Sequence, residues 1–139
     1  MRRQRAEKKS PMTEERGAVL RPAVKLRLAR QGIFFGPGTA ALLELIEETG
    51  SIQEACAAME LSYSKGSRII KNTEKEFGVK LLERWTGGTG GGGSRLTPEG
   101  KRMLGCYRKL EAKVQQSAEE LFKECFSLGD EPREDGGEV

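Results

Sequence analysis

Two helix-start signals, at Ser51 and Ser62, stand so close together that the first helix must end after about two turns. Ser51-Ile52-Gln53-Glu54 is a capping-box pattern, in which the serine oxygen accepts the backbone N–H three residues on and the glutamate reaches back. Ile52, Ala55, Cys56 and Met59 then lie on one stripe, and the pattern lapses. Leu61 is placed to bury in the turn, and Ser62 to cap a second helix over about Tyr63 to Phe77. That helix buries Gly66, Ile69, Ile70, Thr73 and Phe77 and stops at Gly78. A short helix, a tight turn and a longer amphipathic helix make a helix-turn-helix.

Opposite the buried stripe of the second helix lie Ser64, Lys65, Ser67, Arg68, Lys71, Asn72 and Lys75, while Glu74 and Glu76 wait until its last turn. Lysine and arginine bind phosphates, and arginine, asparagine and serine donate to base edges. A solvated lysine face is the plain reading of such a surface; a DNA-reading face is the functional one.

The segment after Gly78 sharpens the choice. Val79 to Trp85 and Ser94 to Thr97 are short strand-like runs, and between them sits Gly87-Gly88-Thr89-Gly90-Gly91-Gly92-Gly93. A glycine-rich loop between two strands, directly after a helix-turn-helix, reads as a wing. Without side chains, its backbone can approach a sugar-phosphate chain closely. Two other readings stand beside it. One is a flexible linker without a ligand. The other is a formal G-x-G-x-x-G from Gly88 to Gly93, but phosphate-binding glycines lead straight into a helix N-terminus, and these lead into Ser94-Arg95-Leu96-Thr97.

Upstream, Val24, Leu26 and Leu28 alternate with Lys25 and Arg27, which predicts a strand over Val24 to Arg30. Gln31-Gly32 turns it into Ile33-Phe34-Phe35 as a hairpin. Gly36-Pro37-Gly38 breaks the strand before a helix from Thr39 to Thr49, ended by Gly50. Downstream, Thr97-Pro98 caps a helix running to about Phe126, about 40 Å long and too long for the body it covers. Met103, Tyr107, Leu110, Val114, Ser117 and Leu121 recur along it at coiled-coil spacing. A two-helix dimer contact is one use of that stripe, and packing back on its own domain is the other.

Charge is unevenly laid out over 139 residues of net charge +3. Arg2, Arg3, Arg5, Lys8 and Lys9 crowd the first nine residues against Glu7, and Asp130, Glu131, Glu134, Asp135 and Glu138 crowd the last eleven against Arg133. Neither end has the apolar residues that offset ordering entropy, so both read as disordered. The basic end is either a solubilising extension or an arm tracking phosphate backbone. The sequence has no histidine, which removes His-based acid/base and nucleophile systems and imidazole zinc sites. Cys56, Cys106 and Cys125 are far apart and fall in helical patterns, and they read as packing residues of a reducing compartment. No apolar run approaches the roughly 20 residues of a membrane span.

Gly50-Ser51-Ile52, Ala55-Cys56-Ala57-Ala58, Leu61-Ser62-Tyr63, Leu81-Leu82, the glycine run and Leu96-Thr97-Pro98-Glu99-Gly100 together resemble the N-terminal DNA-binding domain of the molybdate-responsive ModE regulators. More distantly the chain is similar to the LysR-type winged helix. The resemblance covers about Val24 to Phe126. It implies that the helix from Tyr63 is the recognition helix, Thr86 to Arg95 the wing, and the helix from Pro98 the dimerisation helix. Where the family usually continues Ser-Tyr with Lys and later a Trp, this chain has Ser64, Lys65, Gly66, Ser67 and Arg68, so base preference does not transfer. The family's oxyanion-binding domains would lie beyond the long helix, and no molybdate site is evident here.

The expectation is therefore a mainly α chain with a small β component, a winged helix-turn-helix with a long C-terminal dimerisation helix. Residues 1–22 would be a basic arm, 23–97 the winged domain, 98–127 the dimerisation helix and 128–139 an acidic tail. Its expected function is sequence-specific binding of double-stranded DNA as a cytoplasmic, homodimeric transcription regulator, without catalysis, cofactor, metal or membrane. Ser62, Tyr63, Ser64, Lys65, Ser67, Arg68, Lys71, Asn72, Gly90, Gly91 and Arg95 are the expected DNA contacts; Met103, Tyr107, Leu110, Val114 and Leu121 are the expected dimer seam. The competing reading is a winged-helix protein-interaction or dimerisation module without specific DNA binding.

Overall fold

The computed structural model describes residues 18–87 and 91–127. In order, its elements are β1 (Leu28–Ala29), β2 (Ile33–Phe35), α1 (Pro37–Thr49), α2 (Ile52–Ala58), α3 (Tyr63–Phe77), β3 (Leu82–Trp85), β4 (Gly93–Leu96) and α4 (Pro98–Cys125). The chain divides into a unit formed by Lys25–Val114 and a second drawn from the segments on either side of it.

Glycine and proline set the ends of α1. Proline occupies its first turn after Gly36, because the N–H it lacks would have no helical partner there, so the helix begins two residues before the expected Thr39. Gly50 closes it in the left-handed region at φ +74°, donating its N–H to Ile46 O at 2.8 Å. Gly78 ends α3 in the same way.

The first hairpin is shorter than the alternation predicts. Leu28 pairs with Phe35 and Ala29 with Ile33, with an irregularity between Leu28 and Ala29. The expected strand over Val24 to Arg30 thus shrinks to Leu28–Ala29, since Ile33–Phe35 is all the ladder it has. Ahead of it, the Leu26 carbonyl accepts a 2.8 Å bond from the Tyr107 hydroxyl instead of a strand N–H.

Inside the Lys25–Val114 unit, Leu42, Leu43 and Ile46 of α1, Ile52, Ala55 and Cys56 of α2 and Ile70 of α3 form the core, joined by Phe35, Leu81, Leu82, Leu96 and Tyr107. Phe35 lies 4.9 Å from Tyr107 and 5.6 Å from Phe77 between ring centroids, within the range of favourable edge contacts. Thr73, fully buried, satisfies its hydroxyl on the Ile69 carbonyl one turn back at 2.8 Å.

The Leu96-Thr97-Pro98-Glu99-Gly100 string is explained by its contacts. Leu96 is buried opposite Leu82. Thr97 Oγ1 donates to the Lys80 carbonyl (2.7 Å) and accepts the Gly100 N–H (2.9 Å), tying the hairpin's base to the start of α4. Gly100 sits against the Leu81 backbone, where a β-carbon would strike the carbonyl.

In the second unit, Gln115 accepts the Val24 N–H at 3.0 Å and donates to the Pro22 carbonyl at 2.8 Å. Phe122 and Phe126 stack at 4.7 Å, with Leu121 and Phe126 both more than half exposed. No helix among the described residues is long and apolar enough to cross a membrane.

α2 lies close against α3 at Gly66, where an added β-carbon would collide with the buried Cys56 sulfur. Burial also raises the Cys56 thiol pKa, so it stays a neutral packing group. Gly66→Ala is expected to destabilise the fold by about 1–3 kcal/mol through overpacking. Adding Cys56→Ala, which removes the sulfur, should recover part of that loss although Cys56→Ala alone is destabilising. Thermal or urea unfolding of the three variants checks this; a double variant no more stable than Gly66→Ala would show that the sulfur is not the obstacle.

Candidate nucleic-acid interface

A turn of defined geometry aims α3. The Ser51 oxygen accepts the Glu54 N–H at 3.0 Å and starts α2. At the other end, the Glu60 N–H donates to Ala57 O (3.0 Å) and the Leu61 N–H to Cys56 O (2.9 Å), the paired bonds of a Schellman motif. Glu60 occupies the left-handed position at φ +58° that glycine takes at no steric cost. Leu61 is half-buried in the turn, and Ser62 Oγ accepts the Lys65 N–H at 3.0 Å to begin α3.

Tyr63, Ser64, Lys65, Arg68, Lys71 and Asn72 are all exposed on α3, with Ser67 half-buried beside them. Both carboxylates of the helix are committed elsewhere. Glu74 Oε2 accepts the Leu81 N–H at 2.8 Å, closing the root of the β3–β4 hairpin. Glu76 holds Arg30, whose Nε lies 2.9 Å from Oε1 and whose Nη2 donates to the Glu76 carbonyl. Among the described residues, Lys65, Arg68 and Lys71 form no ion pair, whereas Arg30, Arg95, Lys101 and Arg108 each do. The outward face of α3 is thus cationic with no internal counter-charge.

Following α3, β3 and β4 pair as Leu82↔Leu96, Glu83↔Arg95, Arg84↔Ser94 and Trp85↔Gly93. Leu82, Ser94 and Leu96 turn inward, leaving Glu83, Trp85 and Arg95 exposed. Arg95, expected to hold DNA backbone, donates to Glu83 Oε1 at 2.9 Å and places its guanidinium 5.4 Å from the Trp85 ring centre. Trp85 was not among the expected contacts. Two of the run's glycines make room for it: a β-carbon on Gly93 would strike the indole, and one on Gly92 would come within 2.9 Å of the Trp85 carbonyl. Gly91 is exposed with φ +79°. Gly90 lies outside the described residues.

One residue of the expected dimer stripe of α4 is buried in the core. Tyr107 is 2% exposed, packed on Phe35 and bonded to Leu26, so it belongs to the core. Burial raises its pKa. Met103 and Val114 are half-buried, and Leu110 and Leu121 are exposed. Beside them, Arg108 forks onto Glu44 (2.8 and 2.9 Å) and reaches Glu111 at 2.7 Å. The hydrogen bonds that Arg108 donates lower the Glu44 pKa, and the same donation to Glu44 and Glu111 raises that of Arg108. No group of three candidate metal ligands occurs among the described residues.

Residues 39–101 match the model of the bacterial regulatory helix-turn-helix proteins of the lysR family. Over this segment the chain is similar to the LysR-type helix-turn-helix domain. Its relatives include the transcriptional regulator ModE of Yersinia pestis, 37% identical over 95 residues (68% of this chain, 36% of the relative). The molybdenum transport protein ModE of Azotobacter vinelandii is 36% identical over 100 residues (68% and 37%). The DNA-binding transcriptional dual regulator ModE of Escherichia coli K12 is 34% identical over 99 residues (71% and 37%). The chain spans about a third of the length of the curated relatives it matches. Among solved structures, the BenM DNA-binding domain with benA site 1 DNA is 25% identical, with a TM-score of 0.48, covering 66% of this chain and 97% of that one.

In this helix-turn-helix domain the turn carries avoidable strain. Glu60→Gly is expected to leave the turn in place and stabilise the fold by up to about 1 kcal/mol, because the left-handed penalty outweighs the added freedom of the unfolded chain. Unfolding midpoints of the two proteins check it; a lower midpoint for Glu60→Gly would mean that the glutamate side chain contributes more than its backbone costs.

Proposed function

We propose that this chain is a sequence-specific DNA-binding transcription regulator that works as a cytoplasmic homodimer and catalyses no reaction. The observation that carries the reading is the face of α3, where Lys65, Arg68 and Lys71 stand exposed without counter-charges while Glu74 and Glu76 are held by the fold. Cations left in water without partners are the groups that gain most from displacing counterions on a phosphate backbone. Lys65, Arg68 and Lys71 supply that attraction, and Tyr63, Ser64, Ser67 and Asn72 offer donors and acceptors to base edges in the major groove. Ser62 acts through its cap, keeping the first turn of α3 open toward the duplex.

The β3–β4 hairpin with its glycine run, including Gly90 and Gly91, lies along the adjacent backbone as a wing. Residues 98–127 pair two copies through the exposed Leu110 and Leu121, with Met103 and Val114 at the margin, so that two recognition helices read two half-sites. The ModE relatives, which are named as transcription regulators, support this reading.

Replacing Lys65, Arg68 and Lys71 together by alanine tests it. Duplex affinity is expected to fall and the slope of log K against log salt to shrink by about 3, while thermal stability holds because the three side chains form no described ion pairs. Fluorescence anisotropy of a labelled duplex across a salt series measures both quantities. Unchanged affinity and slope in the folded variant would exclude this face from the complex.

A further inference from the structure

Trp85 is the sole tryptophan of the chain, and the hairpin leaves it 44% exposed. Large aromatic side chains are usually buried, so a tryptophan held open at a fixed orientation is a contact surface in want of a partner. Three neighbours fix it. Gly93, directly opposite, presents no side chain, and the indole occupies the space a β-carbon would need. Arg95, two pairs along the ladder and so on the same face, lays its guanidinium over the ring at 5.4 Å. Glu83 holds that guanidinium from the opposite strand at 2.9 Å. The pair leaves Arg95 with its charge locally balanced, which makes it a poor phosphate clamp and a good clamp for the indole.

We infer that Trp85 is the wing's DNA contact, its ring packing on the sugar-phosphate chain, with Gly93 and Arg95 as positioning residues. The inference rests on the DNA-binding function proposed for α3 and gives Arg95 a positioning role in place of the backbone contact expected from the sequence. Duplex DNA is the occupant that the surroundings favour. The Glu74 bond to Leu81 ties the hairpin's root to the helix that bears the cationic face. A deoxyribose offers an apolar face to the ring, and a phosphate oxygen can accept the indole N–H, which donates to no described residue. An apolar contact displaces no counterions, so it adds affinity without adding salt dependence.

Two readouts on the full chain test it with a mixed-sequence duplex at low salt. Anisotropy of labelled duplex establishes binding, and the intrinsic emission of Trp85 is followed with unlabelled duplex. The expected results are a change in Trp85 emission and reduced quenching by acrylamide as the complex forms. Trp85→Ala should bind about tenfold more weakly with the wild-type salt slope, and Trp85→Phe should recover most of the loss. Arg95→Met, which frees the indole, should weaken binding in the Trp85 background and have little effect in the Trp85→Ala background. Binding seen by anisotropy, with native Trp85 emission and quenching unchanged and Trp85→Ala binding like wild type, would overturn the Trp85 assignment and leave the α3 reading standing. Absence of any binding by the wild-type chain would overturn the DNA reading itself, and this inference with it.

Discussion

Everything that α3 presents depends on how closely α2 can lie across it. The two helices meet where Gly66 faces Cys56, a contact that admits a sulfur on one side and nothing on the other. Because protein interiors are packed to near crystal density, a contact this short leaves little freedom in the helix crossing. The Schellman turn through Glu60 and the Ser62 cap then fix where α3 begins along that crossing. Core packing sets the angle, hydrogen bonds set the register, and the exposed residues inherit both.

The helices were legible because their signals are local. Ser51, Ser62, Gly50 and Gly78 mark ends through bonds to residues three or four positions away, so the bounds of α2 and α3 follow closely from the string of letters. The strands were less so. Alternation from Val24 to Arg30 described which side chains face inward, but a strand also needs a partner, and the ladder available to it is Ile33–Phe35 alone. Tyr107 illustrates the same limit on α4. Heptad-like spacing gave it the same standing as Leu110, and only the tertiary position of Phe35 and the Leu26 carbonyl separates the buried residue from the exposed one.

At the candidate interface, the cations of α3 could be read from helical geometry, whereas the disposition of its acids could not. Glu74 and Glu76 bond to Leu81 and Arg30, far enough away in the chain that no periodicity connects them. Trp85 was missed for a different reason. The glycine run drew attention to what its backbone could approach, and the register that sets Trp85 opposite Gly93 emerges only when Leu82 is paired with Leu96. Once that pair is granted, the two-residue alternation does place Glu83, Trp85, Gly93 and Arg95 on one face.

Glu74 also links the chain's architecture to its electrostatics. Its carboxylate is held at the Leu81 N–H, a position available only while the hairpin root is docked. If that root separates, the same carboxylate becomes a loose negative charge one turn beyond Lys71. Where that negative charge stands relative to Lys71 is therefore set by the assembled tertiary structure as well as by the helix sequence.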